Sequence, residues 1–178
     1  MIYLIRHGEP AGAYGAHPDP GLTELGVRQA FSAAEALATR GAKRAITSPL
    51  ARSRETAAQF EKLMETHARI ESGVGEIITP KGITDRAAWL KGVMAGTWPE
   101  ADELLDRWRR SVLAAVEKLP EETAVFSHFI AINAIVTSRC RPATAASTAR
   151  RRRGESPSRG FTRSDCGCQG VVASPASR

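Results

Sequence analysis

The sequence predicts an α/β protein: a three-layer α/β/α sandwich around a mostly parallel central sheet, with one domain over residues 1–138 and a tail over residues 139–178. Three observations lead there. Short β-prone apolar runs alternate with stretches of helical periodicity, the pattern of parallel sheets with crossover helices. The first run, Met1 to Ile5, reads as a buried strand and delivers Arg6-His7-Gly8-Glu9 at its carboxyl end, where ligands bind in open α/β sheets. The composition then changes abruptly near Thr137–Arg139.

The elements follow in order. Gly8 allows a sharp turn and close approach of a ligand, and Pro10 stops the strand from continuing. Ala11 to Gly21 is a loop rich in Gly, Pro and Ala. Thr23 suits a helix N-cap with Gly26 at the third helical position. The helix runs to about Thr39, with Leu25, Ala30, Ala33, Ala34 and Leu37 as its apolar face, and Gly41 ends it. Arg44 to Ser48 is a second strand, closed by Pro49. Leu50 to Thr66 is a second helix with Ala57, Phe60 and Leu63 inward, and Ala68 to Glu71 is a third short strand. Glu71 to Gly82 is irregular. Helices are expected over Ile83 to Met94 and Pro99 to Lys118, the latter with Pro99 in its first turn and Glu100, Asp102 and Glu103 near its positive end. Glu122 to Ser127 is a strand leading into His128, and Phe129 to about Thr137 is an apolar helix.

The net charge of +6 is unevenly placed. Residues 1–138 hold 16 Lys and Arg against 17 Asp and Glu, whereas residues 139–178 hold 9 Arg, no Lys and 2 acids. All three cysteines and the run Arg150-Arg151-Arg152-Arg153 lie in the tail, and no Leu or Ile follows Ile135. Such a segment cannot bury a core and is expected to be disordered. No apolar run approaches the ~20 residues of a membrane helix. Met1 leads straight into the first strand with no room for a signal peptide, so the expected location is cytoplasmic.

Five pieces carry chemistry. They are Arg6-His7-Gly8-Glu9; Leu22-Thr23-Glu24-x-Gly26-x-x-Gln29-Ala30; Ser48-Pro49-Leu50-x-Arg52-x-x-x-Thr56-Ala57; Glu76; and Ser127-His128. Phosphoryl transfer needs cations around three charged oxygens and an in-line nucleophile. A neutral imidazole is such a nucleophile near pH 7. His7 fits that role. Arg6 and Arg52 supply forked donors for phosphate oxygens, and His128 supplies a second imidazole to the phosphoryl group. Glu76 would protonate the leaving oxygen and then activate water. Gly73 and Gly75 suit a tight loop ahead of Glu76 and favour it over the neighbouring Glu71. Ser48 and Thr56 read as strand-end and packing residues, His17 and His67 as loop or surface residues. Trp89, Trp98 and Trp108 read as core or pocket lid, Trp98 being the better pocket candidate.

These pieces, in this order, resemble the histidine phosphatase superfamily, the phosphoglycerate mutase-like family, over roughly residues 1–138. The resemblance implies the same roles for the same five residues, an intermediate phosphorylated on His7, a phosphorylated small-molecule substrate, and neither metal nor organic cofactor. Within it, the loop Ala11 to Pro20 lacks an Asn that many members carry, mutases especially, and the substrate-recognition insert is short; both favour a phosphatase over a mutase. Phe129 stands where the family usually has Gly after the second histidine. The family also continues past this point with further apolar strands. The tail, with its sudden gain of Arg and Cys, therefore suggests a frameshift near codon 138 and one or two missing edge strands, which reading the neighbouring frames of the gene would test. The competing readings are a phosphoglycerate mutase, a catalytically impaired member that only binds phosphorylated ligands, and a nucleic-acid binder acting through the arginine run. For the last, the tail has a single aromatic, Phe161, and its Cys166-Gly-Cys168 pair is too small for a zinc site, so no specific nucleic acid is expected.

Overall fold

A computed structural model of the chain describes residues 1–12, 17, 19–95 and 103–139. Residues 140–178 of the predicted tail, Trp98 and the predicted helix start at Pro99 lie outside the described residues, while Arg139 closes the last helix. Four strands form one parallel sheet: β1 (Ile2–Arg6), β2 (Arg44–Thr47), β3 (Arg69–Ile70) and β4 (Thr123–Ser127), in the order β1-β4-β2-β3. The helices are α1 (Glu24–Thr39), α2 (Ala51–Met64), α3 (Arg86–Ala95), α4 (Glu103–Glu117) and α5 (Phe129–Arg139), with a 3₁₀ turn at Ser72–Val74. The fold class predicted from the alternation of elements is the one observed.

Strand alternation divides the core into two layers. Tyr3, Ile5, Ala45, Ala124 and Phe126 point to one face and pack against Ala34 and Leu37 of α1 and Ala57 and Phe60 of α2. Leu4, Ile46 and Val125 point to the other, against Val112 and Val116 of α4 and Ala131 and Ile135 of α5. β4 is buried along its whole length, as expected of a central parallel strand covered on both faces. Phe60 meets Phe126 at a ring separation of 6.0 Å, tilted by 50°. Such a pair adds ~0.5–1.5 kcal/mol beyond area burial.

The caps explain most element boundaries. The Thr23 hydroxyl accepts from the Gly26 N–H at 3.0 Å, as its spacing predicts. Gly41, at φ 79°, turns the chain out of α1. Two expectations need correction: Leu25 and Leu63 are 40% and 43% exposed, because small residues (Ala30, Ala34, Ala57) let α1 and α2 lie close to the sheet and exclude those two positions. α3 begins at Arg86 and not at Ile83, since the Asp85 carboxylate accepts from the Ala88 N–H at 2.9 Å and sets the start there.

Truncating Phe60 to Ala is expected to cost ~3–5 kcal/mol, whereas Leu63→Ala, on the same helix, stays within ~0.5 kcal/mol. Urea unfolding midpoints of the two variants separate the buried position from the exposed one.

Candidate active site

Parallel pairing sets the site. Arg6 on β1 is in register with Ser127 on β4, so the next residue of each strand, His7 and His128, emerges side by side. The His7 N–H extends the ladder to the Ser127 carbonyl at 3.1 Å. Ser48, just past the end of β2, joins them by donating its N–H to the Phe126 carbonyl at 2.9 Å. The Ser127 hydroxyl donates to the Val74 carbonyl at 2.6 Å and pins the loop that carries Glu76.

The long sequence motifs hold the turn after His7. A Cβ on Gly8 would overlap the Gly26 carbonyl, and a Cβ on Gly26 would overlap the Glu9 carbonyl, so α1 can approach this closely only with glycine at both places. The Gln29 amide oxygen accepts from the Glu9 N–H at 2.9 Å, Thr23 Oγ1 donates to the Glu9 carboxylate at 2.7 Å, and Thr56 Oγ1 accepts from the Gly8 N–H at 3.0 Å. Thr56, read as a packing residue, is in fact a hydrogen-bond anchor for this turn.

Within the site, His7 Nδ1 lies 2.8 Å from the Gly8 carbonyl. A carbonyl only accepts, so Nδ1 carries the proton and Nε2 keeps its lone pair. Arg52 Nε donates to that Nε2 at 3.3 Å. Burial, opposed by the Gly8 hydrogen bond and reinforced by the charges of Arg52 and Arg6, lowers the His7 pKa to about 4. His128 lies 5.2 Å away, ring centre to ring centre, and is fully buried. Its Nε2 is 2.8 Å from Ser48 Oγ and 3.4 Å from Ser53 Oγ, whereas Nδ1 is buried without a hydrogen-bond partner. Burial, then the field of Arg52, lowers its pKa to about 2. Glu76 lies 3.7 Å from His128 Nδ1 and 3.8 Å from Arg52 Nη2. Burial outweighs the Ile77 N–H and the nearby arginines and raises its pKa above the ordinary carboxylate value.

All five predicted residues thus meet at the strand ends, and Arg6, His7, Arg52 and Glu76 line one cavity of about 840 Å³. Glu71 does not: its carboxylate caps the 3₁₀ turn through the Gly73 N–H and pairs with Arg69 at 2.8 Å. Sequence reading did not anticipate three further residues. Ser48 and Ser53 hold His128, and Asp19 accepts from the Ala51 N–H at 2.8 Å while standing 4.0 Å from Arg52. A polar residue four positions before the helix-borne Arg52, at the start of the Ser-Pro-Leu motif, was the available signal for Ser48. For Asp19, 32 residues away in a loop, no local pattern exists. His17, read as a loop residue, is exposed and also lines the cavity. His67 is exposed, as expected. Trp89 and Trp108 pack against a cluster of Ile77, Leu90, Leu105 and Ile130. Among the described residues, no three His, Cys, Asp or Glu side chains converge as a metal site needs.

Two imidazoles, two guanidinium groups and a carboxyl whose pKa is raised thus gather near the carboxyl ends of parallel strands in an α/β fold. The model of the histidine phosphatase superfamily (branch 1) matches residues 2–148, and the chain belongs to that superfamily. The chain is 28% identical over 159 residues to the probable phosphoglycerate mutase GpmB of Serratia proteamaculans (strain 568), covering 78% of this chain and 74% of that protein. Among solved structures, a protein of Escherichia coli K-12 provisionally assigned as an alpha-ribazole-5'-P phosphatase superposes with a TM-score of 0.61 at 21% identity, covering 81% of each chain. A mycobacterial glucosyl-3-phosphoglycerate phosphatase gives a TM-score of 0.56 at 22% identity, covering 76% of this chain and 79% of that one.

The His7 ring is expected to remain neutral and protonated on Nδ1 at pH 6, taking up a second proton only near pH 4. Nitrogen-15 NMR of labelled imidazoles, with His7→Gln for assignment, checks this; a ring that titrates near its ordinary value would contradict the buried geometry.

Proposed function

We propose that this chain is a phosphatase that hydrolyses a phosphomonoester through a phosphohistidine on His7. The observation that carries the reading is the fixed tautomer of His7, whose proton is committed to Gly8 and whose Nε2 lone pair stands beside Arg52 at the cavity. In the first step Nε2 attacks phosphorus and the bond to the leaving oxygen breaks. Glu76, whose pKa burial raises, gives a proton from its protonated form to the leaving oxygen. Arg6 and Arg52 neutralise the equatorial oxygens. A neutral His128 that accepts from Ser48 at Nε2 carries its proton on Nδ1, and this otherwise unpaired donor is available to a third oxygen. In the second step the Glu76 carboxylate takes a proton from water as the water attacks the phosphohistidine, releasing phosphate and restoring His7.

The relatives named as probable phosphoglycerate mutases favour a second reading, transfer of the phosphoryl group between hydroxyls in place of water. Activity with 3-phosphoglycerate that yields 2-phosphoglycerate without phosphate release would select it. A member that only binds would show phosphate-protected melting without turnover.

Phosphate release from an aryl phosphate, measured with chelator present, is expected for the wild-type chain and is expected to fall to background in His7→Ala. Metal-dependent turnover, or turnover that survives the substitution, would overturn the mechanism. In the free enzyme, kcat/KM should rise through about pH 4 as His7 loses its proton and fall at higher pH as Glu76 ionises, above the ordinary carboxylate range. Glu76→Gln should abolish the high-pH limb and slow the reaction roughly 10²–10⁴-fold, as a pH–rate profile of the variant beside the wild type would reveal.

A further inference from the structure

The site's cations occupy one end of a cavity far larger than a phosphate group. Arg6 and Arg52 stand with His7 and Glu76, and a third arginine, Arg86, donates through Nε to Thr79 Oγ1 at 2.7 Å while its charge acts on Glu76 and His128. The rest of the described wall is largely apolar: Leu50, Ile77, Leu90, Met94, Phe129 and Ile130. Two of these, Met94 and Phe129, are 55% and 46% exposed where they line the cavity. Large apolar side chains left in water around a cavity mouth mark a surface that a ligand covers.

Phe129 joins the two ends. It follows His128 directly and opens α5, and its ring lies under the Arg6 guanidinium at 5.5 Å. It therefore sits beside the phosphate end and also forms part of the apolar wall. Resting on the phosphatase reading above, we propose that the substrate is the phosphate monoester of an apolar, uncharged alcohol, aryl or alkyl, and that Phe129 determines this preference. A leaving group bearing a carboxylate or several hydroxyls would press polar atoms against Ile77, Leu90, Met94 and Phe129, which offer no hydrogen bond, and would find polar side chains on the described wall beyond the phosphate site only at Arg86, Thr79 and His17. An alkyl or aryl group there displaces water from exposed apolar surface.

The test compares kcat/KM of the full chain for n-hexyl phosphate, glycerol 3-phosphate and 3-phosphoglycerate, all alkyl esters. The hexyl ester is expected to lead by on the order of tenfold or more. Phe129→Ser and Met94→Ser should each collapse that ratio, and Phe129→Leu should keep most of it; ratios are read within one preparation, so a loss of folded protein does not mimic the effect. Equal or better use of 3-phosphoglycerate with phosphate release would overturn the inference and leave the phosphatase reading standing. Should no ester release phosphate, that reading fails, and calorimetry still decides the inference. n-Hexylphosphonate is expected to bind on the order of tenfold tighter than methylphosphonate, and equal affinities would overturn it.

Discussion

The pairing of β1 with β4 is the constraint on which the rest depends. Because the strands are parallel and Arg6 is opposite Ser127, two histidines 121 positions apart in the chain leave the sheet together. A one-residue slip would send one imidazole to the opposite side of the sheet. The register is in turn fixed by alternation, since Tyr3, Ile5 and Phe126 must face α1 and α2 while Leu4 and Val125 face α4 and α5. Core packing and catalytic geometry are therefore one requirement, met by the same five residue pairs.

The site places two kinds of group in opposition. The arginines concentrate positive charge at the strand ends and make protonation of either imidazole costly. Burial lowers the pKa of both imidazoles and raises that of Glu76. One desolvated, cationic environment thus leaves a free lone pair on His7 and favours the neutral form of the carboxyl that stands 3.8 Å from Arg52. Arg52 is central to this. It touches His7, Glu76 and Asp19 at once, and Asp19 ties it to the first turn of α2 through Ala51.

Much of this was legible in the sequence because the motifs are contiguous. Thr23, Gly26 and Gln29 lie within one helical turn or two of each other and show up as a string, although their purpose, gripping the turn after His7, needs the third dimension. The α3 start was misplaced because the Asp85 cap, directly ahead of Arg86, sets it past an apolar Ile83 that looks helical. Leu25 and Leu63 were misassigned for a related reason: periodicity gives a face but not its width, and small alanines beside them decide how much of it is covered. The choice of Glu76 over Glu71 rested on loop glycines, and the structure sets the two apart: Glu76 stands beside Arg52 and His128, whereas Glu71 pairs with Arg69 and caps the Gly73 N–H. Asp19 could not have been found, since its partners lie on an element more than thirty residues distant.

The cavity has two builders. Its charged end comes from the sheet and the first turn of α2, where Gly8 and Gly26 lock backbone against backbone and tolerate no added atom. Much of its apolar wall comes from α3 and the start of α5, with Met94 and Phe129 about half out in solvent. Selection acting on these two parts meets very different resistance. The reacting end is frozen by folding itself, whereas the far wall can be rewritten one side chain at a time, so a lineage can exchange its metabolite while inheriting its chemistry unchanged.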